Sequence, residues 1–88
     1  MKTEQTINYI VIFGDKRLKK LVQRGKVNYN EEIYQIASKL PSIKEAIYRI
    51  EIGADDYPHD LPRLKKLYRK TCKELYRAIK VANRKEVK

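Results

Sequence analysis

The chain has one cysteine, one histidine, three glycines, three prolines and no tryptophan in 88 residues. Each scarcity closes a class. A single cysteine, Cys72, allows no intrachain disulfide, which fits a reducing, cytoplasmic setting. One histidine leaves no Ser-His-Asp arrangement and no histidine-based metal spacing. Three scattered glycines make no phosphate-cradling loop. The apolar run over residues 7–13 is too short to cross a bilayer, and Asp15, Lys16 and Arg17 follow it with no small-residue cleavage pattern. Neither a signal peptide nor a membrane anchor is expected. There are no internal repeats and no low-complexity tracts.

Acidic residues are also scarce, eleven against twenty-one basic ones, for a formal charge of +10. The excess sits at the two ends. Residues 1–26 sum to +5, residues 27–62 to −4 and residues 63–88 to +9. Such a distribution suits a nucleic acid, an acidic protein surface or an anionic membrane as partner. Hydrophobic residues make up 42% and charged residues 36%, enough for one soluble domain over 1–88 with a modest core. Dimerisation is a common way for so small a domain to add to its core, so a homodimer is a further possible partner state.

What the chain has in abundance is cation at one spacing. Arg63, Lys66, Lys70, Lys73, Arg77, Lys80 and Arg84 recur at alternating steps of three and four. On a helix those steps draw one nearly straight stripe. The apolar set of the same segment, Leu61, Leu64, Tyr68, Cys72, Leu75, Ile79 and Ala82, lies about half a turn away. Like charges one turn apart repel by a few tenths of a kcal/mol per pair, so a pure cationic stripe points to an anionic partner. The stripe spans about 31 Å at 1.5 Å per residue. Tyr76, beside Lys73, Arg77 and Lys80, can stack on a base or pack along a backbone. The plainer account of the stripe is a solvated lysine-rich face. Cys72 falls on the apolar side and reads as a buried thiol.

A second cluster is Lys16, Arg17, Lys19, Lys20, Arg24 and Lys26, interrupted by Leu18, Leu21 and Val22 at core spacing. Packed beside the last helix, Lys16, Lys19, Lys20 and Arg24 would extend the patch. The spacing of Ile7, Ile10, Val11, Gly14, Leu18, Leu21 and Val22 predicts one helix over 4–24, capped by Thr3 or Thr6 and closed by Gly25. The competing assignment makes residues 7–13 a strand, giving an α+β fold.

Asn30 before Glu31 and Glu32 predicts a helix over 30–40 with Ile33, Ile36, Ala37 and Leu40 inward. Leu40-Pro41-Ser42 predicts a break. Ser42 would cap a helix over 42–52, with Ile43, Ala46, Ile47 and Ile50 inward and Gly53 at its end. Asp60 would cap a last helix over 60–85, with Pro62 in its first turn. The pair 30–40 and 42–52, through Ala37, Leu40, Ile47 and Ile50, resembles the helix-turn-helix of many bacterial regulators. It departs at the turn, where Pro41 and Ser42 stand in place of glycine and an apolar residue. It departs again in Glu45 and Glu51 on the would-be recognition helix. The loop Asp55-Asp56-Tyr57-Pro58-His59-Asp60 collects carboxylates but matches no metal spacing.

These patterns predict a small all-α domain of four helices with a long basic C-terminal helix. They predict a non-catalytic binding protein without metal or cofactor. Nucleic acid, DNA foremost, is the expected partner through phosphate contacts. The alternative is a protein-interaction module, an inhibitor or assembly factor, docking on an acidic surface. Membrane insertion is not expected, and a membrane-surface role is weak because the last helix lacks Trp and Phe on its apolar face.

Overall fold

A computed structural model describes residues 2–53 and 60–86, and the fold is all-α. Five helices follow in order: α1 (Thr3–Phe13), α2 (Lys16–Gln23), α3 (Glu31–Ala37), α4 (Leu40–Glu51) and α5 (Leu61–Glu86). There is no strand among the described residues, and residues 7–13 are helical.

The single helix expected over 4–24 is two helices. Gly14 and Asp15 leave helical geometry, both extended, with ψ of 167° and 178°. Asp15 is the reason for the restart: its Oδ1 accepts from the Leu18 N–H at 3.0 Å and caps α2. Gly14 is the reason the chain can turn so tightly. A Cβ there would lie 2.5 Å from the carbonyl oxygen of Ile10, so only glycine fits. Neither Thr3 nor Thr6 caps α1. The cap position is Lys2 with no side-chain cap bond, and Thr6 is buried with its hydroxyl donating to the Lys2 carbonyl at 2.8 Å. Gly25 does close α2. It takes φ +68°, and the N–H groups of Gly25 and Lys26 donate to the Val22 and Leu21 carbonyls, the paired bonds of a Schellman ending.

The next boundary is also shifted. Asn30 caps α3 as expected, accepting from the Ile33 N–H at 2.9 Å, but α3 ends at Ala37 and α4 starts at Leu40. Ser42 caps nothing. The cap position is Lys39, with no side-chain cap bond, and Pro41 sits in the first turn of α4, where a missing N–H breaks no helical bond. The two linking residues, Ser38 and Lys39, are both right-handed. The left-handed turn of a helix-turn-helix is therefore missing, and the resemblance fails there.

Helix α5 is the scaffold. Helices α2, α3 and α4 all pack on it, and α1 packs on α2, α3 and α4. The core gathers Ile10, Leu18, Ile33, Ala37 and Leu40 against Cys72, Leu75, Ala78, Ile79 and Ala82. The apolar stripe read from the sequence is the face that docks: Cys72, Leu75, Ile79 and Ala82 are buried, and Leu61, Leu64 and Tyr68 are half-buried. Two polar ties fix the other helices along α5. The Tyr68 hydroxyl donates to the Phe13 carbonyl at 2.6 Å, satisfying an orphan carbonyl at the end of α1. The Asn83 amide both donates to the Lys26 carbonyl at 2.7 Å and accepts from the Asn28 N–H at 3.1 Å, holding the chain just beyond α2. No helix among the described residues is long and apolar enough to cross a membrane.

Candidate nucleic-acid interface

All seven stripe residues are exposed: Arg63, Lys66, Lys70, Lys73, Arg77, Lys80 and Arg84. They project opposite the docked face of a 26-residue helix, so the apolar and cationic stripes separate as their spacing requires. Among the described residues, and leaving Asp60 aside, the one ion pair is Arg49–Glu45 at 3.5 Å on α4. Among the described side chains, Asp60 aside, no carboxylate pairs with a stripe cation, so the mutual repulsion along α5 is not offset by any of them.

The cations converge at the C-terminal half of α5. A groove of about 560 Å³ there is lined by Lys73, Tyr76, Arg77, Lys80 and Arg84, and Arg17 of α2 forms its other side. Its remaining lining residue is Val81. The Arg17 guanidinium carbon is 4.9 Å from the Tyr76 ring centroid and the Lys80 ammonium is 5.0 Å from it. The ring quadrupole holds both cations within cation–π reach. Tyr76 thus gathers positive charge from two helices. A base could stack on it only by competing with the cations already there, so the ring serves the site as a support.

The second cluster contributes less than its charge suggests. Only Arg17 reaches the groove. Lys16, Lys20 and Arg24 are exposed elsewhere on or beside α2, and Lys19 is half-buried. Arg63, Lys66 and Lys70 continue the exposed stripe toward the start of α5 without lining the groove. Sequence reasoning placed Arg17 in the basic cluster without singling it out. The signal that would have done so is Asp15-x-x-Leu18, an N-cap followed by a buried leucine, which fixes the rotation of α2.

The rest of the surface does not share this character. Helix α4 carries Lys44 and Arg49 against Glu45 and Glu51, and Lys44 lies 4.5 Å over the Tyr68 ring. It is not a basic recognition helix. The Tyr68 hydroxyl is pushed well above the ordinary tyrosine range, first by burial and then by its contact with Cys72. Burial likewise raises the Cys72 thiol. Both therefore stay protonated and structural at neutral pH. The acidic loop over 54–59 lies outside the described residues, and Asp60 directly precedes α5.

Comparison with protein families, with curated proteins and with solved structures finds no match.

Proposed function

We propose that this protein is a non-catalytic nucleic-acid-binding protein, with duplex DNA as the foremost ligand, acting in a reducing, cytoplasmic setting where Cys72 stays a free thiol. The observation that carries this reading is the exposed cationic ridge of α5, joined by Arg17 at the Tyr76 groove. A regular anion array is what such a ridge can neutralise, and duplex DNA carries one negative charge per about 1.7 Å of axis. Contacts of this kind position a protein on the backbone and carry no sequence information directly. The ligand is bound through Lys73, Arg77, Lys80, Arg84 and Arg17, and the stripe toward Arg63 extends the footprint.

The test is fluorescence anisotropy with a labelled duplex over a salt series. Six to ten phosphate contacts give a log–log slope of roughly −5 to −9 and an affinity of about micromolar or weaker at physiological salt. Binding that hardly changes with salt, or none at low salt, would overturn the proposal. Purification from the native host without nuclease separates the alternative: a defined acidic protein in place of co-purified nucleic acid would make the ridge a protein-docking face.

A further inference from the structure

Helix α2 runs parallel to the C-terminal half of α5, and three contacts fix that direction. The Tyr68 hydroxyl holds the Phe13 carbonyl, ahead of α2, at 2.6 Å. Arg17 lies over the Tyr76 ring at 4.9 Å. The Asn83 amide holds the Lys26 carbonyl, beyond α2, at 2.7 Å. Residue numbers climb together on both sides, so the two helices point the same way. Arg17, Lys20 and Arg24 recur at steps of three and four and share one face of α2, where all three are exposed. Arg24 is the C-cap and keeps right-handed geometry, so the row reaches it. Since Arg17 faces Tyr76, the shared face is turned to the groove, and Lys20 and Arg24 stand along its bank beyond the residues that line it.

The opposite bank is Lys73, Lys80 and Arg84 of α5. Among the described side chains, neither bank carries a carboxylate. Helix α2 has no acidic residue, and Asp15 is engaged as its cap. Glu74 lines a different crevice, with Glu32 of α3. Arg17 and Lys80, one from each bank, meet at the same ring, 4.9 Å and 5.0 Å from its centroid. The banks thus close on one point, near enough for a single phosphate to be reached from both. The row from Arg17 to Arg24 advances about 10 Å at 1.5 Å per residue. That is the axial length of about three phosphates of one strand. Arg63 and Lys66 precede Tyr68, the level at which α2 begins, and continue as a single row.

We infer that the α2–α5 groove is a track for one sugar–phosphate backbone, gripped from both sides, with Lys20 and Arg24 as binding residues opposite Lys73, Lys80 and Arg84. The inference rests on the nucleic-acid reading of the ridge and adds to it the second bank and the number of strands held.

Anisotropy titrations of the full chain over a salt series test it, with a labelled DNA duplex and with one of its strands alone. Lys20→Gln with Arg24→Gln should weaken binding to both at least about tenfold, with an unchanged thermal melt. Two lost phosphate contacts should reduce the log–log salt slope by about two on the duplex and by somewhat over one on the single strand. Lys20→Gln alone, used if the double variant melts early, should give about half of that reduction. Lys2→Gln with Arg49→Gln removes the same charge from exposed positions away from the groove, and should change affinity less than about threefold. A Lys20/Arg24 variant that binds like this control, while Lys73→Glu with Arg77→Glu abolishes binding, would overturn the track and leave the ridge as the ligand site. A loss confined to the duplex would also overturn it, because α2 would then touch the second backbone. If the parent binds neither probe at low salt, the nucleic-acid reading falls and the track with it.

Discussion

The Arg17 guanidinium rests over the Tyr76 ring, 4.9 Å from its centroid, and this contact brings the positive charge of α2 to the ridge on α5. Its strength sets the first prediction. Cation–π contacts at exposed sites contribute about 0.5–1 kcal/mol, so Tyr76→Leu should weaken duplex binding roughly two- to five-fold. Tyr76→Phe keeps the ring and should bind as the parent does. Anisotropy titrations of the two variants decide between a ring that holds Arg17 and one that stacks on bases. If the ring stacked on bases, Tyr76→Leu would cost far more on single strands than on duplex.

Charge reversal tests the ridge itself. Lys73 and Arg77 are both exposed and both line the groove. The double variant Lys73→Glu with Arg77→Glu should abolish binding. Surface substitutions of this kind alter stability by only about 0.5 kcal/mol each, so the thermal melt should hardly move. Binding that survives reversal would reduce the stripe to a solvated face.

The start of α2 is a separate lever. Removing the cap with Asp15→Ala should cost about 0.5–2 kcal/mol in urea unfolding. Gly14→Ala forces a Cβ against the Ile10 carbonyl and should cost more than about 1 kcal/mol. Both changes disturb the seat of Arg17, so each should weaken binding more than its loss of stability alone predicts. A Gly14→Ala variant as stable as the parent would mean that α1 and α2 are one continuous helix after all.

How far the sequence reached is clearest in these same residues. The two stripes of α5 were legible because a 26-residue helix repeats its pattern often enough to fix both faces. Asn30 and Gly25 were legible because caps act on adjacent backbone. The break at Gly14 was not, because Ile7, Ile10, Val11, Gly14, Leu18, Leu21 and Val22 stay in helical phase across it, and phase cannot report two extended residues. The α3–α4 boundary slipped because proline has two effects. It disfavours helix in the residue before it, yet it fits the first turn, and here Leu40 is helical ahead of Pro41. The meeting of Arg17 with Tyr76 depends on how α2 lies along α5, which local pattern does not encode.

The buried pair Tyr68 and Cys72 gives a pH dependence of definite sign. Both are acids whose protonation is favoured in the folded state, chiefly by burial. Between the ordinary and the raised values the folded chain binds more protons than the unfolded one, so stability falls as pH rises. The contribution is fully present below the ordinary values, 9.0 for the thiol and 10.0 for the phenol, and is lost above them. Tyr68→Phe removes the hydroxyl and its bond to Phe13. The stability gap between parent and variant should therefore narrow as urea melts are repeated from about pH 8 to about pH 11. A gap constant over that range would mean that the phenol is not held protonated by the fold.

The ridge is presented by the packing beneath α5. Leu75 is fully buried at the middle of the docked face of α5, with Cys72 and Ile79 buried one turn to either side. It belongs with Ile10 of α1 and Leu18 of α2 to one buried core, so the packing beneath α5 is shared by all three helices. Leu75→Ala should cost about 2–5 kcal/mol, through lost transfer energy and the cavity left behind. That is a large share of the stability of a small domain, about 5–15 kcal/mol. Thermal melting should begin well below that of the parent. Because Arg17 stands on α2 and the stripe on α5, loosening this packing separates the two halves of the groove. Binding should then fall in step with the folded fraction on heating, and at low temperature it should approach that of the parent. If Leu75→Ala melts no earlier, α5 is not docked through this face. The ridge would then be an arm ordered by its ligand, with affinity insensitive to the core.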